Sequence, residues 1–368
     1  MTGNVLEALG VLDDEDVISN LLACCVNHSP SFAAHFVSAL LGRRWDAYDT
    51  VRAYTRKSLR GAGIPDLIVN ARSGGQCDLV VIENKLMAEE GRDQTKRYAD
   101  GFCGQNPRNR TRFANLEPIG EWDARCLVFL TLFPWQEPQD CRFQHVRYED
   151  VLSAIKPYER GQDVLADRLF RDLSDAYSAF YAGGRTNPGD LLMQKWSSNG
   201  DLDAGFLHFG KVFESMPYPL GLKVRHIGRR SALGRPFYAA QILKDAWRSF
   251  DTAEEPGFNI HFEPQFNIRR RRFSLYLHYE IRDYRPWKQA RKEIPEARLA
   301  EYAVAREQFK KYLAEVQPPG LVLRGRSNQV GEVDVELDER TSLAEFSEAV
   351  CSAIASIARV IDNSPLLR

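Results

Sequence analysis

The sequence contains no apolar run approaching the ~20 residues that a membrane span requires. Nor does Met1 to Leu12 begin with a basic segment leading into an apolar one. A membrane protein is therefore not expected, and the cytoplasm is the default address. The seven cysteines, at 24, 25, 77, 103, 126, 141 and 351, form an odd set without a CxxC pair. That excludes a disulfide framework or zinc ribbon as the organising device and predicts reduced, mostly buried thiols. No GxxxxGK[ST] loop occurs, so the chain cannot drive its own ATP-powered unwinding or translocation, and any motor or sensor would be a separate partner. There is no internal repeat and no long Gly, Ser, Gln or Pro tract, which rules out wholesale disorder and fibrous architecture.

What is present is an ordinary globular composition, 44% hydrophobic and 27% charged, over 368 residues. That length favours two domains. The net charge of −1 conceals an asymmetry: residues 1–184 carry −5 and residues 185–368 carry +4. A near-neutral total does not announce a polyanion partner, so a nucleic-acid assignment must rest on local patches and on chemistry.

Asp13 to Asp16 form an acidic first turn before Val17, Ile18, Leu21, Leu22 and Cys25 at helical spacing. A second helix is predicted from about Ser31 to Gly42. The period then changes. Thr50–Leu59, Ile64–Asn70 and Cys77–Leu86 read as three strands, the last two joined by a turn at Ser73-Gly74-Gly75. Glu89–Phe102 should be a helix, Arg125–Phe133 a central strand covered on both faces, and Phe143–Tyr148 an edge strand. The amphipathic Val164–Tyr181 ends at Gly183-Gly184, where the domain boundary is placed, giving domains 1–184 and 185–368. The second is predicted as α+β with an antiparallel sheet. Its helices are near Ala204–Phe213, Pro295–Val316 and Ser342–Ile361. Its strands are at Leu220–Ile227, Pro236–Leu243, Phe258–Phe262, Phe273–Ile281, Leu321–Arg324 and Glu332–Leu337.

The chemistry concentrates at Pro65-Asp66 and Glu83-Asn84-Lys85. On a strand, residues 83 and 85 share a face with Leu79 and Val81, so an apolar strand ends in a carboxylate beside an ammonium. With Asp66 at the end of the neighbouring strand, two hard oxygen donors and an amine converge at one sheet edge, as a Mg²⁺ or Mn²⁺ site requires. Of the twelve lysines, Lys85 alone has an acidic residue two positions before it. Phosphodiester cleavage needs these groups, because a metal polarises the phosphate and acidifies a bound water while an amine orients that water or offsets charge.

This arrangement resembles the PD-(D/E)XK nuclease superfamily, over roughly residues 13–150. Gln94-Thr95-Lys96-Arg97-Tyr98 is similar to the Q-x3-Y signature that follows the catalytic strand in RecB-like members, and Glu15-Asp16-Val17-Ile18-Ser19 with Leu21-Leu22 to the first-helix motif of uncharacterised bacterial families. The resemblance implies a restriction-endonuclease-like α/β core, a mixed sheet flanked by helices. It implies Asp66 and Glu83 as metal ligands, Glu15 as a further acidic group at the metal, Lys85 at the water, and Gln94 and Tyr98 near the substrate backbone. Asp14 and Asp16 compete with Glu15 for that role. The iron–sulfur branch of the superfamily is not matched, since Cys103, Cys126 and Cys141 lack its CxxC spacing. For these residues the alternative is a hairpin end with a cross-strand ion pair, and His28 reads as structural.

A second signal is Arg269-Arg270-Arg271-Arg272, followed by Phe273, Tyr276, His278, Tyr279 and a further basic and aromatic run to Lys292. Such interleaving suits a groove in which arginines meet phosphates and aromatics stack on bases. These arginines, with Lys96, are the expected nucleic-acid contacts, although Phe273, Leu275, Leu277, Tyr279 and Ile281 alternate as a core face and a solvated tip is the competing reading. The expected function is a metal-dependent nuclease acting on nucleic acid, DNA before RNA, in bacterial restriction or anti-phage defence. The alternative is a binding scaffold or sensor on the same fold without turnover. A homodimer, which would pair two sites across a duplex, is left open.

Overall fold

The computed structural model describes residues 4–42, 48–57, 63–74, 76–86, 88, 90–91, 93–103, 124–155, 164–183, 187, 189–190, 192, 204–232, 235–248, 257–267, 272–281, 294–324, 328–336, 338 and 340–367. The chain divides into two compact units. One comprises Met1–Gly184 with Ser198–Leu207, the other Arg185–Ser197 with His208–Arg368. No helix among the described residues is long and apolar enough to cross a membrane.

In the first unit a short helix α1 (Val5–Ala8) precedes α2 (Glu15–His28). Helix α2 starts where it does because the Asp14 side chain accepts a hydrogen bond from the amide of Val17 at 3.1 Å. Ser29 caps α3 (Pro30–Leu41) in the same way, and Gly42 ends it with φ +60°. Strands β1 (Thr50–Thr55), β2 (Leu67–Ser73) and β3 (Gln76–Lys85) form an antiparallel meander. After α4 (Gln94–Cys103), β4 (Ala124–Thr131) and β5 (Gln144–Arg147) join in parallel, giving a mixed five-stranded sheet in the order β1-β2-β3-β4-β5. Helices α5 (Tyr148–Ile155) and α6 (Val164–Gly183) complete the unit.

Both faces of the sheet are covered. Leu79, Val81, Leu127 and Phe129 pack with Ile68, Phe143 and the α4 residues Tyr98, Ala99 and Phe102 on one side. On the other, the side chain of Asn84 reaches Ser19 of α2 and Tyr148 at the start of α5. Helix α4 begins five residues later than its charge pattern predicts. The cause is local: Asp93 has φ +51°, and the carboxylate of Glu90 takes the amide and hydroxyl of Thr95, which organises the segment before the first helical turn. The expectation of mostly buried thiols is corrected for the described cysteines, since Cys25 is buried while Cys141 is exposed and Cys24, Cys126 and Cys351 are half-buried.

The second unit is a six-stranded antiparallel sheet in the order β10-β11-β9-β8-β7-β6. Its strands are β6 (Lys223–Ala232), β7 (Arg235–Leu243), β8 (Phe258–Asn267), β9 (Arg272–Ile281), β10 (Val322–Leu323) and β11 (Gln329–Glu336). Its helices are α7 (Ala204–Ser215), which belongs to it from His208 on, α8 (Glu296–Val316) and α9 (Leu343–Asp362), the last begun by a capping box between Ser342 and Glu345. Phe273 meets Phe213 of α7 and Phe346 of α9 at 6.1 and 4.9 Å, and Tyr279 lies 5.6 Å from Phe309 of α8. The alternation of β9 thus places its apolar residues under the helices. The opposite face is polar and still buried at Gln241, Asn259, His261, Ser274, Glu280 and Glu332.

Candidate active site

Strand β3 lies between an antiparallel neighbour and a parallel one, and Leu67 of β2 stands opposite Ile82. Asp66 therefore arrives just before β2 at the end of the sheet where β3 delivers Glu83 and Lys85. Because β3 and β4 run parallel there, Lys85 pairs with Thr131 and both strands end on this side, the location where parallel sheets present their ligand sites.

Glu83 has no exposed surface and Lys85 almost none. The ammonium of Lys85 lies 2.6 Å from Glu83 Oε1 and 3.3 Å from Glu15 Oε2. Gln94 Nε2 donates to the same Glu83 oxygen at 2.5 Å and to the Tyr98 hydroxyl at 3.2 Å, and that hydroxyl donates to the carbonyl of Ile64 at 2.8 Å. The i, i+4 spacing thus turns both side chains of α4 onto the end of β3. Asp66 Oδ2 accepts the amide of Asn84 at 2.8 Å. The other oxygen of Glu83, Oε2, is buried without a hydrogen-bond partner among the described residues.

Glu15 occupies a different position from that of a simple third ligand. Its Oε1 accepts from the amides of Leu86 and Ala88 at 3.0 and 3.4 Å, and its Oε2 faces Lys85. The ammonium stands between Glu15 and Glu83. Accordingly, Glu15, Asp66 and Glu83 do not gather within 4.8 Å of one another; among the described residues the set that does is His261, His278 and Glu280. Asp14 caps α2 and Asp16 pairs with Arg56, so neither takes the place of Glu15.

Electrostatics follow from burial in a crowded acidic pocket. Burial pushes the Glu83 carboxyl up to about 8, with the Asp66 charge adding to the shift and Lys85 opposing it. Burial likewise raises Asp66 to about 6 against the pull of Lys85 and the Asn84 amide. For Lys85, burial alone would lower the value, but the charges of Glu83, Glu15 and Asp66 outweigh it and hold the ammonium protonated. Among these side chains Lys85 is therefore a fixed cation rather than a base. Tyr98 is also raised, by burial first and then by Glu83.

The Glu83 oxygen that lacks a hydrogen-bond partner among the described residues, in a pocket whose charge it shares with Asp66, is a test of fit for a cation. A buried acceptor of this kind is costly unless something positive meets it. The donor set is all hard oxygen, which suits Mg²⁺ or Mn²⁺.

Sequence reasoning missed Asn84, Ser19 and Tyr148. Asn84 uses its amide for Asp66, its Nδ2 for Ser19 at 3.0 Å, and its Oδ1 to accept from Tyr148 at 2.9 Å. The available signal was a polar residue in an otherwise apolar strand, on the face opposite Glu83. Gly63, with φ +130°, is a second omission, because a Cβ there would stand 2.4 Å from the Tyr98 ring. Lys96 is exposed on α4, away from the inward face that carries Gln94 and Tyr98. Arg269, Arg270 and Arg271 lie outside the described residues, and Arg272 begins β9. No protein-family model matches the chain, and no curated protein or solved structure matches it.

Proposed function

We propose that the first unit is a restriction-endonuclease-like nuclease domain and that the chain hydrolyses phosphodiester bonds in nucleic acid, DNA before RNA, with Mg²⁺ or Mn²⁺. One observation carries the reading. A fully buried glutamate has an oxygen without a hydrogen-bond partner among the described residues, in one pocket with an aspartate delivered by the neighbouring strand and a lysine two residues on. A plain cross-strand ion pair would need neither Asp66 nor an empty acceptor.

Asp66 and Glu83 would hold the ion, which supplies a Lewis acid for the phosphate and a water of lowered pKa. The remaining groups prepare this place. Gln94 fixes one oxygen of Glu83 and leaves the other free, while the Asn84 amide orients Asp66. Lys85 stays an ammonium and offsets negative charge that develops on the phosphate oxygens. Glu15, held by two backbone amides, keeps Lys85 in position. Tyr98, anchored on Ile64, closes the α4 side. A role in defence against foreign DNA rests on the resemblance alone.

The test incubates the purified chain with linear, circular and single-stranded DNA and with RNA, in Mg²⁺, Mn²⁺ or chelator, beside Asp66→Ala and Lys85→Ala. Cleavage should require the metal and fall by a factor of about a hundred to ten thousand in either variant. Cleavage that survives both substitutions, or persists in chelator, overturns the assignment. Binding without cleavage under every condition favours the scaffold reading.

A further inference from the structure

We propose that His261, His278 and Glu280 form a binding site for a single zinc-class transition-metal ion within the second unit, separate from the acidic pocket of the first. One ligand atom from each of the three side chains lies within 4.8 Å of the others. The register explains why they meet. His261 of β8 is the direct cross-strand partner of His278 of β9, and Glu280 lies two residues along β9 on the same face.

The spacing of the ligand atoms fits a shared ion, which would replace the hydrogen bond between His278 Nδ1 and Glu280 and that between Gln241 and His261 Nε2. His261 Nε2 is 3.8 Å from Glu280 Oε2, beyond hydrogen-bond reach, and His278 Nδ1 is 3.1 Å from Glu280 Oε1. Two ligands about 2.1 Å from a tetrahedral zinc stand roughly 3.4 Å apart, a separation these two values bracket. The imidazole rings stack with centroids 5.3 Å apart and planes 19° from parallel.

Charge and burial point the same way. His261 and Glu280 are buried, and among the described residues no lysine or arginine pairs with Glu280. A carboxylate taken out of water needs a positive partner. Asn259, the cross-strand partner of Glu280, is 1% exposed, and its Oδ1 has no hydrogen-bond partner among the described residues. Its Nδ2 meets Gln241 Oε1 at 3.3 Å, and Gln241 Nε2 meets His261 Nε2 at 3.2 Å, so the polar face is continuous around the triad. Two imidazoles and one carboxylate select zinc, iron, cobalt or nickel over Mg²⁺, which prefers an all-oxygen shell. Three protein ligands leave one tetrahedral position open for water or an exogenous group.

The experiment strips the full chain with chelator and titrates it with Zn²⁺ alone and with Zn²⁺ in excess Mg²⁺, reading bound metal by mass spectrometry and thermal stability in parallel. In excess Mg²⁺, which occupies the acidic pocket of the first unit, one equivalent of zinc should stay bound and raise the melting temperature. His278→Ala and Glu280→Gln should each weaken zinc binding more than about a hundredfold, while Glu83→Gln should leave it unchanged. The zinc-edge X-ray absorption spectrum of the unaltered chain should show imidazole ligands, a readout that does not depend on a variant's folding. Absence of tight zinc binding, a spectrum without imidazole, full binding in a folded His278→Ala chain, or loss of zinc in Glu83→Gln would each overturn the proposal.

Discussion

For individual side chains, the acidic pocket makes stability depend on pH in a definite direction. Glu83 is raised to about 8 and Asp66 to about 6 in the folded chain, above their ordinary values near 4. The folded state therefore binds more protons than the unfolded one between about pH 4 and pH 8, and its stability falls as pH rises through that window. Without divalent cations, urea denaturation should show a loss on the order of a few kcal/mol between about pH 5 and pH 9, with Glu83→Gln removing most of the slope. A flat profile in the parent chain would show that the pocket is more open to water than its burial implies. Asp66, Glu83 and Lys85 were legible from their spacing, since a carboxylate and an amine two residues apart must share a strand face. The part of Glu15 as a clamp on Lys85 was not, because helix position does not reveal which backbone amides a side chain will meet.

Among the strands and helices, the apolar runs determine where strands lie, and local backbone chemistry decides where they begin and end. The strand expected from Leu220 starts at Lys223 because Leu220 has φ +59° within the turn Pro219–Gly221. Strand β8, expected to end at Phe262, continues through Pro264 to Asn267. The observed pairing of β7 with β8 is at Ile242 and Phe262, so the missing amide of Pro264 is not needed on that side. A junction sensitive to a small change is Gly63 against α4. Gly63→Ala combines a left-handed φ with a methyl group driven into the Tyr98 ring. It should cost about 1–3 kcal/mol in chemical denaturation, and under the proposed nuclease reading it should reduce cleavage by more than the stability loss accounts for. A variant with parental stability and activity would mean that Tyr98 has room to move.

Across the molecule as a whole, the two units carry opposite tasks in the proposed scheme, with the acidic chemistry in the first and the basic surplus in residues 185–368. If Arg269 to Arg272 meet phosphates, replacing all four with serine should flatten the salt dependence of DNA binding, by about 0.9 in the logarithmic slope for each phosphate no longer neutralised. Binding measured over a salt series by fluorescence anisotropy gives that slope, and an unchanged value removes the arginines from the interface. The helix, meander, helix, strand order of the first unit could be read from periodicity, because each element buries one apolar face. The triad of His261, His278 and Glu280 could not, since the register that joins two strands is set by their pairing and leaves no mark at either position alone.

Glu15 contacts groups 70 and more positions further along the chain, at Lys85, Leu86 and Ala88. An emerging polypeptide that has produced Lys85 still lacks Gln94, Tyr98 and the parallel neighbour of β3. The pocket around Glu83 is consequently completed only once α4 and β4 (Ala124–Thr131) have been made, so in chain order the contacts of Glu15 with the end of β3 come before those of Gln94.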